Sequence, residues 1–161
     1  MVIKDLHPDM NVVNLLTVCP RQMRSNSNDL RKDCTPMSQE TSFFCQVNHP
    51  KDPANLTDLE KKHNPVITAA GQLKAGEAAE VTVEIGKLLA HPNEPGHFIE
   101  WIELYADYVF LARLSLTAVT TKPVLKAQVV IPHGLPKVTL RAFARCNLHG
   151  VWEATREVSV A

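Results

Sequence analysis

A two-residue alternation of apolar and polar side chains in the C-terminal part of the sequence constrains the fold more than any other feature. Residues 81–85 read VTVEI, and residues 138–145 read VTLRAFAR. Because successive side chains of a β-strand point to opposite faces, this pattern predicts strands with one buried face.

Further strands are predicted from similar runs of apolar, β-branched and aromatic residues. They cover residues 97–105, 108–117, 125–131 and 151–158, and turn-forming Pro, Gly and Asn residues stand between them. Six or seven short strands in roughly 100 residues, with little helix, are typical of a sandwich. We therefore predict an all-β fold, an antiparallel β-sandwich of about seven strands.

The composition of the chain changes near residue 60. Residues 20–58 are rich in Ser, Asn, Asp, Pro, Arg and Lys and have little apolar periodicity, apart from a possible helical turn at residues 56–62. The earlier stretch at residues 10–19, MNVVNLLTVC, fits either a strand or a short helix. We predict that residues 1–55 form a mostly irregular, partly ordered N-terminal extension and that residues 56–161 form the sandwich.

Charge and hydropathy exclude several classes of function. The chain has 17 Lys and Arg against 17 Asp and Glu, which predicts no broad attraction to nucleic acid or to an anionic membrane. No run of about eighteen apolar residues is long enough to span a membrane. The N-terminus lacks the features of a secretory signal, so we expect a cytoplasmic protein.

Five residues that commonly bind metals fall at the ends of predicted strands: His63, His91, His97, Cys146 and His149. A single histidine in a turn is usually a surface residue. For this sequence, all four histidines would have to be surface residues at the same time. Imidazoles with one thiolate suit zinc, iron or copper better than magnesium or calcium. Three histidines and the cysteine would fit a closed zinc site, whereas all five ligands would fit iron with one open position.

The same residues lie in segments that resemble a known family. KKHNPVI, HPNEPGHFIEWIEL and CNLHGVWE occur in this order in the sequence. Together they resemble the superoxide reductases of the neelaredoxin and desulfoferrodoxin group, over roughly residues 56–161. The resemblance implies an immunoglobulin-like sandwich of seven strands, in agreement with the strand pattern.

The resemblance also implies a site and a reaction. His63, His91, His97 and His149 would be the equatorial ligands of one iron per chain, and Cys146 would be its axial thiolate. The iron would cycle between Fe²⁺ and Fe³⁺ and reduce superoxide to hydrogen peroxide. An external donor such as rubredoxin would return the electron, and relatives lead us to expect a homo-oligomer, either a dimer or a tetramer.

Three residues before the first histidine are candidates for a catalytic role. Lys62 matches a lysine that attracts superoxide in the family and can hydrogen-bond the product through water. Lys61 stands where the family usually has a glutamate, and Glu60 is one position further away. Either the carboxylate ligand of resting relatives is absent, or Glu60 replaces it.

The N-terminal cysteines do not match the close pairs of two-iron relatives. Cys19, Cys34 and Cys45 are far apart, although His49 follows Cys45 by three residues. These four residues could form a second zinc or iron site, but thiols without metal are the simpler interpretation.

Two other interpretations stay open from the sequence. One is a structural or electron-transfer metalloprotein of the same fold without superoxide chemistry. The other is a sandwich that binds or carries another molecule and has incidental histidines.

Overall fold

The alternating stretch at residues 138–145 lies in a long strand, and its apolar side chains are buried. In this computed structural model, which describes residues 41–161, Val138, Leu140, Ala142 and Ala144 are all at most 2% exposed. The polar residues between them point to the other face of the sheet. The predicted buried face of this strand is confirmed.

The described residues form nine strands, one short α-helix and a 3-10 turn at Thr41–Phe44. The helix is α1 (Asp58–His63), close to the predicted helical turn. The strands are β1 (Val47–Asn48), β2 (Val66–Thr68), β3 (Gln72–Leu73), β4 (Ala78–Glu84), β5 (Ile99–Ala106), β6 (Val109–Ser115), β7 (Val124–Val130), β8 (Lys137–Cys146) and β9 (Gly150–Val160).

The strands form two sheets. The larger has the order β1-β9-β8-β5-β6, with β3 also paired to β9, and the smaller has the order β2-β4-β7. All pairs of longer strands are antiparallel, whereas the two-residue strands β1 and β3 pair with β9 in parallel. The predicted all-β sandwich is confirmed, and these short strands raise the count above seven.

The hydrophobic core contains side chains from both sheets. Val81 and Val83 of β4 are fully buried, as are Ile102 and Leu104 of β5. Burying such a side chain contributes about 1.5–3 kcal/mol to the stability of the folded state. The core is therefore the main source of stability for the sandwich, on which the loops are held.

Part of the predicted N-terminal extension packs on the sandwich. Val47 pairs with Val151, and Asn48 pairs with Trp152, at the start of β9. The predicted domain boundary at residue 55 stays a prediction, and the segment at residues 10–19 lies outside the described residues. Residues 41–161 contain no helix that could span a membrane.

Candidate metal centre

The five predicted ligands come from three separate parts of the chain. His63 is the last residue of α1, and His91 and His97 lie in the connection from β4 to β5. Cys146 ends β8, and His149 directly precedes β9. Since β5, β8 and β9 are neighbours in one sheet, the sheet brings His97, Cys146 and His149 together.

Helix α1 starts with a capping box, which fixes the helix that carries His63. Thr57 Oγ1 accepts a hydrogen bond from Glu60 N at 3.3 Å, and Glu60 Oε2 accepts one from Thr57 N at 2.7 Å. Two free backbone N–H groups are satisfied in this way, which stabilises so short a helix. His63 itself is 1% exposed, so the helix delivers a buried imidazole.

The loop that carries His91 and His97 is held by two asparagine side chains. Asn93 donates to Thr121 O at 2.9 Å and accepts from Val119 N at 3.0 Å. Asn147 accepts from Phe98 N at 2.9 Å and donates to Gly96 O at 3.0 Å, on either side of His97.

The turn between β8 and β9 brings the thiol and an imidazole close together. Cys146 Sγ lies 3.6 Å from His149 Nδ1. Burial raises the pKa of the Cys146 thiol, while the backbone N–H groups of Leu148 and His149 oppose that change by hydrogen bonding to sulfur. A bound cation would overcome the effect of burial, because metal coordination deprotonates a thiol.

The ligand atoms converge on one point. One ligand atom from each of His63, His91, His97 and Cys146 lies within 4.8 Å of the others. The His149 ring is 4.6 Å from the His63 ring and 4.9 Å from the His97 ring, measured between centroids. The structure therefore brings all five predicted residues together, and four of them form a group that could hold a metal ion.

The protonation states of His63 and His91 suit the binding of a metal ion. His63 Nδ1 lies 2.7 Å from Leu59 O, and His91 Nδ1 lies 2.6 Å from Pro92 O, so Nδ1 carries the proton and Nε2 is bare. Burial lowers the pKa of His63 to about 3 and that of His91 to about 4. Burial also lowers the pKa of His97.

Two features of these rings fit a bound cation. The bare Nε2 atoms of His63 and His91 are 3.1 Å apart, so two lone pairs face each other. His97 Nε2 is buried and has no hydrogen-bond partner in the described part of the chain. A metal ion would satisfy all three nitrogens, and the mixture of imidazole and thiolate suits a transition metal.

The three candidate catalytic residues lie in α1. Burial is the main cause of the lowered pKa of His91 and of His97, and the positive charge of Lys62 lowers both further, so this lysine is within electrostatic range of the cluster. Lys61 Nζ is 3.5 Å from Asp58 Oδ1 on the exposed side of the helix. Both carboxylate oxygens of Glu60 accept hydrogen bonds, from Lys51 N and from Thr57.

Glu60 therefore joins the start of α1 to the segment before it. These hydrogen bonds lower the pKa of its carboxyl group, which is ionised and buried. A role of Glu60 as a ligand stays a prediction, and this arrangement gives the carboxylate another function.

The proposed second site lies mostly outside the described residues. Cys19 and Cys34 are not among them, Cys45 is exposed, and His49 Nε2 is 3.5 Å from Glu153 Oε2. Within residues 41–161, the cluster described above is the only group of this kind that includes a cysteine or histidine. The second site stays a prediction.

Sequence reasoning missed the residues that support the ligands. Phe43, Asn48 and Asn147 lie far in sequence from the groups that they contact, so no local pattern indicates them. The capping box could have been found from the Thr57-x-x-Glu60 spacing. Trp152 is 3% exposed and stacks on His63 with ring centroids 5.2 Å apart.

Comparisons with known proteins show the family to which the chain belongs. The family model described as Desulfoferrodoxin matches residues 55–155. A protein of Methanocaldococcus jannaschii is 43% identical over 118 residues, covering 73% of this chain and 97% of that protein. A protein of Clostridium acetobutylicum named desulfoferrodoxin is 32% identical over 133 residues, covering 82% of this chain and 83% of its own.

A solved structure is similar as well. The superoxide reductase (neelaredoxin) from Ignicoccus hospitalis superposes with a TM-score of 0.61 at 30% sequence identity. The superposition covers 71% of this chain and 95% of that one.

Proposed function

Since the chain belongs to the desulfoferrodoxin family, we propose that it is a superoxide reductase. In this reaction superoxide gains one electron and two protons and becomes hydrogen peroxide. The observation that supports the proposal best is the group of four ligand atoms, from three histidines and a cysteine, within 4.8 Å of one another.

We propose iron as the metal, one ion per chain, held by His63, His91, His97, Cys146 and His149. The donor set supports this choice, because five ligands exceed what a tetrahedral zinc site accepts. When bound, iron supplies the single electron by changing between Fe²⁺ and Fe³⁺. A thiolate ligand donates electron density to such an ion, as it does in thiolate-ligated haem.

The protein contributes protonation states and charge. The Nε2 atoms of His63 and His91 carry no proton, so they can bind a cation without first losing one. The Lys62 ammonium group attracts the superoxide anion toward the cluster, and the family resemblance implies that it hydrogen-bonds the product through a water molecule. Lys61 adds positive charge nearby, and Glu60 fixes the helix on which both lysines lie.

The reaction also needs a source of electrons. Each turnover consumes one electron, so an external donor is required, and a small redox protein such as rubredoxin is the donor that we propose. We further propose that the protein is cytoplasmic and forms a homo-oligomer, a dimer or a tetramer, as the family resemblance implies.

The first test is to measure the metal and the spectrum of the full-length protein. We expect one iron per chain and a visible thiolate-to-ferric charge-transfer band after oxidation. The band should be lost in Cys146→Ser and kept in Cys45→Ser, the matched control. Two irons per chain would instead indicate that the N-terminal cysteines also bind metal.

The second test distinguishes reduction from dismutation. With an electron donor in excess, a reductase forms one hydrogen peroxide for each superoxide consumed and releases no oxygen. Dismutation forms one hydrogen peroxide for every two superoxide ions and releases oxygen. A protein that holds only zinc, or that gives no band and no superoxide consumption, would rule out the proposed function.

A further inference from the structure

A segment outside the family match contacts the turn that carries two of the ligands. The match begins at residue 55, whereas Phe43 and Asn48 lie before it. β1 pairs with the first residues of β9, directly after His149. This contact places the segment at residues 43–48 beside the metal centre.

Asn48 is the strongest link between the segment and the turn. Its side chain is buried, at 6% exposure, and the two N–H bonds of its amide nitrogen are shared among three carbonyl oxygens. The distances are 2.9 Å to Val151 O, 3.1 Å to Phe43 O and 3.3 Å to His149 O. Two of these carbonyls flank Gly150 on the turn, so one amide group holds the backbone on both sides of it.

Phe43 contacts the imidazole itself. Its ring lies edge-on to the His149 ring with centroids 5.5 Å apart, and it is 6.1 Å from the Trp152 ring. Trp152 in turn donates from Nε1 to His149 O at 2.9 Å. The imidazole of His149 thus contacts the Phe43 ring as well as the rings of His63 and His97.

The fit between the segment and the turn is tight. Gly150 has a φ of +67°, and a Cβ atom there would lie 2.1 Å from Phe43 O. Only glycine allows the two backbones to approach this closely.

We propose that Asn48 and Phe43 are positioning residues for His149. Asn48 fixes the backbone of the turn, and Phe43 limits rotation of the ring, so that Nδ1 stays beside Cys146 Sγ. Neither residue is a ligand. The inference rests on the proposed function only in taking the cluster as a metal centre.

The experiment uses full-length Asn48→Ala, Asn48→Asp and Phe43→Leu, with the exposed Gln46→Ala as the matched control. Asp has the size of Asn but cannot donate from its side chain when ionised. The first measurement is the set of His149 ring signals in the NMR spectrum of metal-free protein, assigned by their loss in His149→Gln. The second is the release of bound Co²⁺ to a chelator, which is monitored by the loss of the thiolate-to-Co²⁺ absorption band.

Both Asn48 variants should broaden or shift the His149 ring signals and weaken Co²⁺ retention 10- to 100-fold, the usual effect of losing support behind a metal ligand. Phe43→Leu should weaken retention in the same direction and tests the proposal even where an Asn48 variant fails to fold. Ring signals and Co²⁺ release equal to those of Gln46→Ala in all three variants would overturn it. If the unmodified protein binds no Co²⁺, the metal centre fails, but the ring signals still decide whether the segment positions His149.

Discussion

The Nε2 atoms of His63 and His91 face each other at 3.1 Å, and neither carries a proton, because each Nδ1 already donates to a carbonyl oxygen. Two lone pairs at this distance repel each other in metal-free protein. A cation between them would replace repulsion by coordination, which links metal binding to folding stability.

Metal removal should therefore lower stability. A ligand that binds only the folded state at about 1,000 times its Kd stabilises it by about 4 kcal/mol. We expect the melting temperature of chelator-treated protein to fall and to recover when Fe²⁺ is added without oxygen. Calorimetry of His91→Gln is the control, because this variant should show a much smaller difference between the two forms. Equal melting temperatures with and without metal would contradict this expectation.

Loss of the Asn147 side chain should loosen His97. Asn147→Ala removes an acceptor for Phe98 N and a donor to Gly96 O, so we expect metal affinity to fall about 10- to 100-fold. Competition with a chromophoric chelator measures the change. Asn55→Ala, at an exposed position, should leave the affinity unchanged. If the two variants bind metal equally well, the asparagine does not hold the loop.

Lys62 should accelerate the reaction with superoxide through its charge. We expect Lys62→Ala to lower the second-order rate constant about tenfold at low ionic strength and to make it less sensitive to salt. Pulse radiolysis at two salt concentrations provides this measurement. Lys61→Ala is the matched control and should have a smaller effect, since Lys61 pairs with Asp58. An equal loss in both variants would mean that only the total charge of the helix matters.

Glu60 should contribute stability that depends on pH. Its folded pKa is lowered, mainly by the hydrogen bond from Lys51 N, so the contribution is complete above the unfolded value of about 4.5. It is lost as the pH falls through the lowered folded value. We expect Glu60→Gln to cost about 1–2 kcal/mol at pH 7 and progressively less below pH 4.5.

Denaturant unfolding of metal-free protein at several pH values measures this difference. Glu77→Gln, which removes an exposed carboxylate, should change stability little at any pH. A cost for Glu60→Gln that stays constant down to pH 3 would show that the ionised carboxylate is not responsible.

Gly150→Ala should destabilise the protein strongly. Its Cβ would collide with Phe43 O, and the left-handed backbone alone costs about 1–2 kcal/mol for a residue with a side chain. We expect a total loss above about 2 kcal/mol in denaturant unfolding. Gly71→Ala, where the added Cβ meets no atom within 4 Å, should stay within about 0.5 kcal/mol.

Local sequence patterns were sufficient for the parts of the fold that depend on neighbouring residues. The alternation in β8 predicted which of its side chains are buried, because strand geometry alone sets that face. His91, His97 and Cys146 could be predicted to meet because they lie at the ends of strands. A metal-binding cluster was thus accessible from spacing, while the set of five ligands and the choice of iron came from resemblance.

Contacts between distant segments could not be predicted in the same way. β1 and β3 have two residues each, too few for any alternation, and they pair in parallel with β9. Asn48 reaches carbonyl groups about 100 positions away, and nothing in its own surroundings indicates this. The hydrogen bond from Lys51 N to Glu60 also joins residues nine positions apart, and the capping-box spacing does not indicate it.

The pairing of Ile99 with Cys146 has a consequence for the order of folding. His63 and His149 are far apart in sequence. The β5–β8 pairing brings the loop that carries His97 to Cys146 only after the long stretch of chain between Ile99 and Cys146 has closed into a loop. Such non-local contacts form slowly, because the entropy of loop closure is lost before the contacts form. The complete set of ligands therefore exists only in a chain whose large sheet has assembled, and capture of the metal would mark the last stage of folding.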